Sequence, residues 1–405
     1  MKKENIDHKI IGRDLELFTF PKSTPGYCFW HPKGVFIYEA IIKYLKDILV
    51  EQGYSEIKTP MIFNTQLWKK SGHFDNFKDK MYFCGDNVEL AKIKNDADLG
   101  WGIKPMNCPE SMLVFNEYIR TYKELPIRFS DFGILHRYEQ AGEVNGLFRA
   151  REFAQDDAHI YCTIDQIEKE INNLMDLIGK VYQKFGFAEY KVELSTRPQK
   201  FIGETKIWDE AEDILRKILD AREIPYKENK GEGAFYGPKI DFHIGDSLQR
   251  NWQLGTIQLD FTTAEKLDVN YINKEGRKEH PIIIHRALLG SIERFIAILL
   301  EHTYGDLPSW LSPVQVKILP INSEMNNYAD EILQKLHQNK IRVEIDKENK
   351  TLNYKIRKAE TEKIPYLVII GEKEKESQSI AVRKRGKGDL GQMELKKFIG
   401  KIKIK

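Results

Sequence analysis

One stretch of the chain, residues 128–161, combines side-chain types that could bind a ligand carrying both phosphate and amine groups. Two of its arginines, Arg137 and Arg149, lie in an apolar and strand-like context and are followed by the acidic pair Asp156 and Asp157. Charged side chains on apolar strands are costly unless each meets a partner, so this density indicates a site. Arginine forks suit phosphate or carboxylate, whereas aspartates suit an amine or a metal ion.

Three segments each supply one candidate metal ligand. These are Cys108 in KPMNCPE, His159 in QDDAHIY and His285 in IIIHRALLG. Three nitrogen or sulfur ligands with a fourth position open are typical of a catalytic zinc site. The spacing alone leaves open whether the three converge, because a single cysteine or histidine in such a context is more often packed in a core.

A third arginine, Arg294 in GSIERF, lies on a predicted helix just after an apolar strand. A single buried arginine usually pairs with a local carboxylate, and Glu293 or Glu139 could serve here. Three arginines beside strands fit better with a polyphosphate bound in a bent form.

Composition indicates a globular protein with a basic carboxyl-terminal part. The 405 residues allow two or three domains, and no apolar run approaches the ~20 residues that span a bilayer. The start, MKKENIDHKI, lacks the features of a signal peptide, so we expect a cytoplasmic location.

Four irregularly spaced cysteines make no disulfide framework. Residues 311–405 hold 21 basic and 13 acidic residues, against 42 and 48 elsewhere. This favours a bound polyanion such as RNA, although a lysine-rich solubilising surface remains the alternative.

The pattern of elements predicts an α+β domain with an antiparallel or mixed sheet. An amphipathic helix over 34–49 precedes the strand SEIKTPMIF, which Pro60 places at an edge or interface. Short strands around 127–161 lead to a helix from Thr163 to Phe185, and strands between 190 and 262 surround one further helix. The segment 280–302 is a strand running into a helix. No GxGxxG or Walker loop is present.

A proline-containing linker, DLPSWLSP, separates this part from a different pattern. From Val314 strands and helices alternate, which predicts a small α/β domain with helices on its sheet. We therefore predict two domains, residues 1–308 and 309–405.

These segments also resemble the signature motifs of class II aminoacyl-tRNA synthetases, and in particular the threonyl-tRNA synthetase family. The helix, strand and Pro60 resemble motif 1, which forms the dimer. FGILHRYE through FRAREF resembles motif 2, and LLGSIERF resembles motif 3. KPMNCP, QDDAHIY and IHRALLGS are specific to the threonyl family, and the resemblance covers essentially the whole chain.

The resemblance implies roles for individual residues. In ATP binding with Mg²⁺, Arg137 would contact the α-phosphate, Arg294 the γ-phosphate, Arg149 the phosphates and Glu139 the adenine amino group. Zinc would be held by Cys108, His159 and His285, with its coordination completed by the amino and hydroxyl groups of threonine. The threonine pocket would be lined by Met106, Gln155, Asp157, Tyr236 and Gln258. Lys239 matches an active-site lysine, and His73 a histidine proposed to assist transfer to the tRNA ribose. The anticodon would be read by Asn349, Glu374 and Arg383.

The resemblance thus implies a homodimeric threonine–tRNA ligase that uses ATP, L-threonine and tRNA(Thr). A zinc site that ligates the substrate hydroxyl would discriminate against valine, which has none. Serine lacks only a methyl group, worth ~1–3 kcal/mol, so we expect it to be activated as well. Family members commonly carry amino-terminal editing modules that this chain lacks, so we expect seryl-tRNA to form without correction in cis.

Two positions depart from the family pattern: Glu110-Ser111 replace a frequent Gly-His pair, and Tyr138 replaces an asparagine. The main alternative is a non-catalytic, synthetase-like tRNA-binding regulator, which usually loses an arginine or a metal ligand. A zinc hydrolase would leave the three arginines and the basic domain unexplained. Prolyl and seryl synthetases share the fold but give no reason for the cysteine and two histidines.

Overall fold

The structure, a computed structural model, describes residues 7–85, 100–246 and 250–403. The first six residues, part of the stretch read for a targeting signal, and the last two residues of the lysine-rich tail lie outside this range. Among the described residues, no helix combines the length and apolar character needed to cross a bilayer.

The helices within the described ranges are α1 His8–Asp14, α2 Pro32–Glu51, α3 Gln66–Lys70, α4 His73–Phe77, α5 Cys108–Asn116, α6 Ile167–Phe185, α7 Thr205–Ala221, α8 Thr263–Lys266, α9 Ile292–Thr303, α10 Asn326–Gln338, α11 Leu352–Thr361, α12 Glu372–Glu376 and α13 Leu395–Lys403. The strands are β1 Phe18–Thr19, β2 Phe29–Trp30, β3 Ser55–Glu56, β4 Ile62–Asn64, β5 Tyr82–Cys84, β6 Trp101–Ile103, β7 Arg120–Thr121, β8 Ile127–Asp131, β9 Ile134–His136, β10 Glu152–Cys162, β11 Tyr190–Ser195, β12 Tyr226–Asn229, β13 Lys239–Gly245, β14 Asn251–Asp260, β15 Tyr271–Ile272, β16 Lys278–Glu279, β17 Ile282–Ser291, β18 Val316–Pro320, β19 Val343–Ile345, β20 Tyr366–Ile370, β21 Ile380–Lys384 and β22 Gly388–Met393.

The chain divides into two compact units. One contains the described parts of Met1–Thr19, Phe29–Ile41 and Leu299–Lys405, and the other contains those of Phe20–Cys28 and Ile42–Ile298. The predicted boundary between residues 308 and 309 stays a prediction.

The larger unit is built on a nine-stranded sheet. Eight strands follow the order β12-β11-β13-β14-β17-β10-β8-β3, and β9 pairs with β10 beside them. The central pairs are antiparallel, whereas the outermost pairs, β11–β12 and β3–β8, are parallel. The predicted mixed sheet is therefore confirmed.

Helix α6 covers this sheet with one apolar face. Ile171, Ile178 and Val181 recur at helical spacing and are fully buried. The helix ends at Gly186, whose φ of 91° is the left-handed conformation that terminates helices. Burying each such aliphatic side chain contributes roughly 1.5–3 kcal/mol to the free energy of unfolding. The packing of α6 therefore stabilises the sheet whose strands carry the site.

The carboxyl-terminal sheet has the order β19-β18-β20-β21-β22. Its first three strands are parallel and the last two antiparallel. Helix α10 contributes the buried Tyr328, Ala329 and Ile332 to its core. The predicted small α/β domain is confirmed, with β22 and α12 as additions that the sequence pattern did not indicate.

The predicted single strand SEIKTPMIF is wrong as one element. Its start, β3, pairs with β8 at the edge of the large sheet, whereas its end, β4, pairs with β6 in a separate three-stranded sheet. Pro60 lies between them, where its missing N–H costs no ladder bond.

Candidate active site

Four neighbouring strands place the central polar side chains of the site in one row. His159 on β10 pairs with His285 on β17, His285 with Gln258 on β14, and Gln258 with Lys239 on β13. Directly paired residues on adjacent strands project to the same face of a sheet. The register therefore gathers residues separated by more than a hundred positions in sequence.

The three candidate metal ligands converge. The ligand atoms of Cys108, His159 and His285 all lie within 4.8 Å of one another, and all three residues are buried. Cys108 arrives from the first residue of α5, outside the sheet. The rings of His159 and His285 meet edge to face with centroids 4.8 Å apart. One cysteine and two histidines form a donor set that suits zinc.

The hydrogen bonding of the histidines fits a cation. Both ring nitrogens of His159 are buried and have no hydrogen-bond partner, and Nδ1 of His285 is also unpaired. The other nitrogen of His285, Nε2, lies 3.0 Å from Oδ2 of Asp260. When the carboxylate of Asp260 accepts a hydrogen bond from Nε2–H, the lone pair on Nδ1 is free to bind a metal.

Burial favours the neutral forms of His159 and Cys108. It lowers the pKa of His159 well below its usual value, so the imidazole is neutral, which is the form that ligates metals. Burial likewise raises the pKa of the Cys108 thiol, so a thiolate there needs a nearby cation.

A cavity of about 530 Å³ opens over this row. Cys108 and His285 form part of its wall, and all five predicted threonine-binding residues line it: Met106, Gln155, Asp157, Tyr236 and Gln258. The Tyr236 hydroxyl donates to Oε1 of Gln258 over 2.5 Å, and Nδ2 of Asn107 donates to Oδ2 of Asp157 over 3.3 Å. These bonds orient polar groups toward a small polar ligand.

An adjoining cavity of about 300 Å³ holds the predicted nucleotide residues: Arg137, Glu139, Arg149 and Arg294. Gln155, Thr256, Gln258 and Arg137 line both cavities, so the two form a continuous site. A polyphosphate in the second cavity would therefore reach a ligand in the first.

Arg137 and Arg294 are partly buried, and each donates its Nε to an uncharged carbonyl group, which does not neutralise the guanidinium. Nε of Arg137 donates to the Pro105 carbonyl over 3.2 Å, and Nε of Arg294 donates to the Phe148 carbonyl over 3.0 Å. Burial lowers the pKa of both side chains, which reflects positive charge in a poorly solvated place. Such sites stabilise a bound anion strongly.

Two further predicted residues are paired with local partners. Glu139 accepts from Nζ of Lys80 over 2.8 Å, and Lys239 lies 2.8 Å from the buried Asp241. These contacts orient Glu139 in the smaller cavity and Lys239 in the larger one.

His73 lies behind the cavity wall. It is buried, its Nδ1 lies 2.8 Å from Oγ of Ser71, and its ring meets the edge of Phe235, which lines the larger cavity. Burial lowers the pKa of His73 to about 4, so the ring is neutral near pH 7. It lines neither of the two cavities, and its role stays a prediction.

The predicted anticodon residues occupy the smaller sheet and its loops. Asn349 is exposed, and Arg383 lines a cavity of about 240 Å³ together with Lys363 and Lys384. Glu374 uses Oε2 to accept from the N–H of Gly371, so it caps its own short helix.

The departures from the family pattern are accommodated locally. Oγ of Ser111 lies 2.8 Å from the hydroxyl of buried Tyr161. Burial raises the pKa of Glu110, on the same turn of α5, to about 8, which favours a neutral carboxyl group. Tyr138 is partly exposed and packs edge-on against Tyr82.

Sequence reasoning missed two buried groups next to the site, Asp260 and Arg286, and Arg286 also lines the larger cavity. Asp260 orients His285, and Arg286 donates to the carbonyl of Asp156 over 2.7 Å. Asp156 itself belongs to the acidic pair, but its side chain bonds β17 and lines neither cavity. The motif GTIQLDF contains Asp260, yet nothing local links it to a histidine 25 residues later.

The sequence profile of the class II core domain of tRNA synthetases (G, H, P, S and T) matches residues 87–303, more than half of the chain. The chain belongs to this class II synthetase family. The profile of the anticodon binding domain matches residues 315–405 of this synthetase chain.

Relatives of this synthetase chain carry the threonine specificity in their names. The threonine–tRNA ligases of Carboxydothermus hydrogenoformans and Desulforamulus reducens are 48% and 47% identical to it over 396 residues, 98% of this chain. The chain spans 61% of the length of each. A crystal structure described as the RNA binding domain of threonyl-tRNA synthetase from Cryptosporidium parvum superposes with a TM-score of 0.92 at 38% identity, covering 98% of both chains.

Proposed function

We propose that this protein is a threonine–tRNA ligase, which activates L-threonine with ATP and transfers it to tRNA(Thr). The convergence of Cys108, His159 and His285, of which Cys108 and His285 line a cavity continuous with an arginine-rich one, carries this proposal. A metal-lined pocket suits an amino acid with a side-chain hydroxyl, and the arginines suit a triphosphate.

In the activation step, the threonine carboxylate attacks the α-phosphate and pyrophosphate leaves. Negative charge grows on the phosphate oxygens in the transition state. Arg137, at the junction of the two cavities, would stabilise that charge, and Arg294 would hold the far end of the triphosphate. Both side chains are already positioned by carbonyl groups, so little reorganisation is needed. ATP would enter as its Mg²⁺ complex.

Selection of threonine would rest on Cys108, His159 and His285 together with the polar groups of the larger cavity. A zinc ion held by the trio would supply a Lewis acid that prefers amine and hydroxyl groups over a methyl group. Asp157, oriented by Asn107, would accept a hydrogen bond from the substrate ammonium. Gln258 and Tyr236, bonded to each other, would close the opposite side.

The test is threonine-dependent ATP–pyrophosphate exchange, run beside a measurement of zinc content. We expect exchange with threonine and one zinc per chain, and Cys108→Ala should lower both. A matched control is Cys162→Ala, which removes another buried cysteine that is not part of the trio. Exchange without any dependence on threonine would contradict the proposal.

The alternative is a synthetase-like regulator that binds tRNA without activating an amino acid. The described chain keeps the three metal-ligand candidates and the three arginines together, which favours the enzyme. Binding of tRNA(Thr) with no exchange activity would favour the regulator.

We also propose a homodimer in the cytoplasm. Ile62 on β4 and Trp101 on β6 are exposed apolar side chains on paired strands next to the motif 1 segment, with relative exposures of 49% and 54%. Large exposed apolar groups on a small sheet are typical of an interface. Sedimentation of the wild type against Trp101→Glu tests it: a monomeric wild type would contradict the dimer.

A further inference from the structure

The strand that carries His285 is interrupted between the two cavities. Across the β10–β17 pair, Asp157 faces Ala287 but Gln155 faces Ser291. A single residue on β10, Asp156, therefore lies opposite three residues of β17, Leu288 to Gly290. This is a β-bulge, which locally bends a strand and takes backbone N–H groups off the ladder.

The buried carboxylate of Asp156 accepts the N–H groups that the bulge displaces. Oδ2 accepts from the N–H of Leu288 over 2.7 Å, and Oδ1 from that of Leu289 over 3.0 Å. Nη1 of Arg286 donates to the carbonyl of Asp156 over 2.7 Å and lies 3.4 Å from Oδ2. Asp156 and Arg286 are 0% and 1% exposed, so losing one of these bonds leaves a buried polar group shielded from bulk water.

The bulge also needs glycine on its far side. Gly290 has a φ of 71°, and a Cβ there would lie 2.9 Å from the Leu254 carbonyl oxygen. After Gly290 the chain is tied back to β10, because Glu293 accepts from the N–H of Ala154 over 3.0 Å. The next residue is Arg294. The bulge thus fixes the path between the metal-side strand and the arginine of the nucleotide cavity.

We propose that Asp156, held by Arg286, is a positioning residue that sets the relative placement of His285 and Arg294 and thereby aligns the amino-acid and nucleotide cavities. His285 lies three residues before the bulge and Arg294 four residues after it. On its own strand, Asp156 separates Gln155 and Asp157, which both line the larger cavity. The inference rests on the proposed function, because that function assigns ligands to the two cavities.

Asp156→Asn tests this role with little change in volume. The amide presents one oxygen and one NH₂ group to two N–H donors, so one donor loses its acceptor. We expect kcat/KM for pyrophosphate exchange to fall on the order of 100-fold, since misplacement by about 1 Å has that effect. Hydrogen–deuterium exchange should accelerate in peptides that span residues 286–291.

The matched control is Glu170→Gln. Glu170 on helix α6 is 2% exposed and accepts two bonds, at 2.7 and 2.6 Å, from Arg128 on β8 of the same sheet. Neither residue lines the two cavities. It should lose stability while kcat/KM stays within twofold of wild type. A merely structural Asp156 would behave like this control.

The inference is overturned if Asp156→Asn keeps wild-type kcat/KM, whether or not hydrogen–deuterium exchange at 286–291 changes. If that variant is insoluble, Arg286→Lys decides through hydrogen–deuterium exchange, because it removes the bond to the Asp156 carbonyl and keeps the charge. Arg286 also lines the larger cavity, so its kcat/KM is read only together with that exchange. We expect Arg286→Lys to accelerate hydrogen–deuterium exchange at residues 286–291 and to lower kcat/KM for pyrophosphate exchange at least fivefold. Wild-type values in both measurements would overturn the inference. If the wild-type protein shows no threonine-dependent pyrophosphate exchange, the proposed function is refuted. The hydrogen–deuterium exchange of Asp156→Asn and wild type would still test whether Asp156 stabilises the bulge.

Discussion

Removing the carboxylate of Asp260 should weaken zinc binding without touching a ligand. Oδ2 of Asp260 lies 3.0 Å from Nε2 of His285, and Oδ1 accepts from the N–H groups of Thr262 and Thr263 over 2.8 and 2.9 Å. The hydrogen bond from His285 lowers the pKa of Asp260 against the opposing effect of burial. The carboxylate is therefore ionised at neutral pH and fixes the proton of His285 on Nε2.

Asparagine at position 260 cannot satisfy both sides at once. Its single oxygen can face either the backbone N–H groups or His285, and its NH₂ group then opposes a donor on the other side. Loss of such an outer partner typically lowers metal affinity 10- to 100-fold, which corresponds to about 1.4–2.8 kcal/mol. We expect Asp260→Asn to fall in this range.

The measurement is a zinc titration in competition with a chelator of known affinity. Asp246→Asn is the control, because Asp246 is also buried and accepts bonds from Arg250 and from Nε1 of Trp252 but lines neither cavity. Zinc affinity of Asp260→Asn within twofold of the wild type would refute the reasoning, as would an equal loss in the control.

Three further results are expected. In pyrophosphate exchange, kcat/KM for valine should be lower than for threonine by ~10⁴ or more and that for serine by only ~10–200-fold, because serine keeps the hydroxyl; equal discrimination against both would contradict a hydroxyl-directed pocket. Lys355→Met should lower the free energy of unfolding of the carboxyl-terminal unit by roughly 2–5 kcal/mol in denaturant titrations, since buried Nζ bonds the carbonyls of Pro320 and Asp346 over 3.0 and 3.1 Å. Pyrophosphate exchange should stay unchanged in that variant. Arg383→Ala should raise the KM for tRNA, and reduce its salt dependence by about one unit if the guanidinium contacts a phosphate, while exchange with threonine is unaffected.

The parts of the fold that follow from local pattern were predictable. Helix α6 carries its apolar face, its capping threonine and its terminal glycine within one continuous segment, and its predicted span agrees with Ile167–Phe185 and the 3₁₀ turn before it. The strand β17 followed directly by the helix α9 was also predicted from the sequence pattern. The separation of β3 from β4 was not, because it depends on which sheet each short strand joins.

For the site, the residues that carry chemistry were recognisable from type and motif, but their support was not. His159 and His285 stand in motifs, whereas their direct pairing depends on the β10–β17 register. Nothing in the sequence around Asp260 indicates its contact with His285, which depends on the pairing of β14 with β17. The bulge at Leu288–Gly290 has no sequence signature beyond one glycine. Long-range register decides these features, and a sequence pattern with a period of two does not encode it.

The same register explains why the site is shared among so many strands. A row across four antiparallel strands fixes His159, His285, Gln258 and Lys239 by backbone hydrogen bonds, which are more rigid than loop contacts. The nucleotide side cannot continue that row, because Arg294 belongs to a helix that begins directly after β17. A regular strand would deliver that helix at an angle set by the sheet alone. In our proposal the bulge at Leu288–Gly290 sets this angle, so the buried carboxylate of Asp156 would decide whether the candidate metal ligands and the arginines of the smaller cavity face the same substrate.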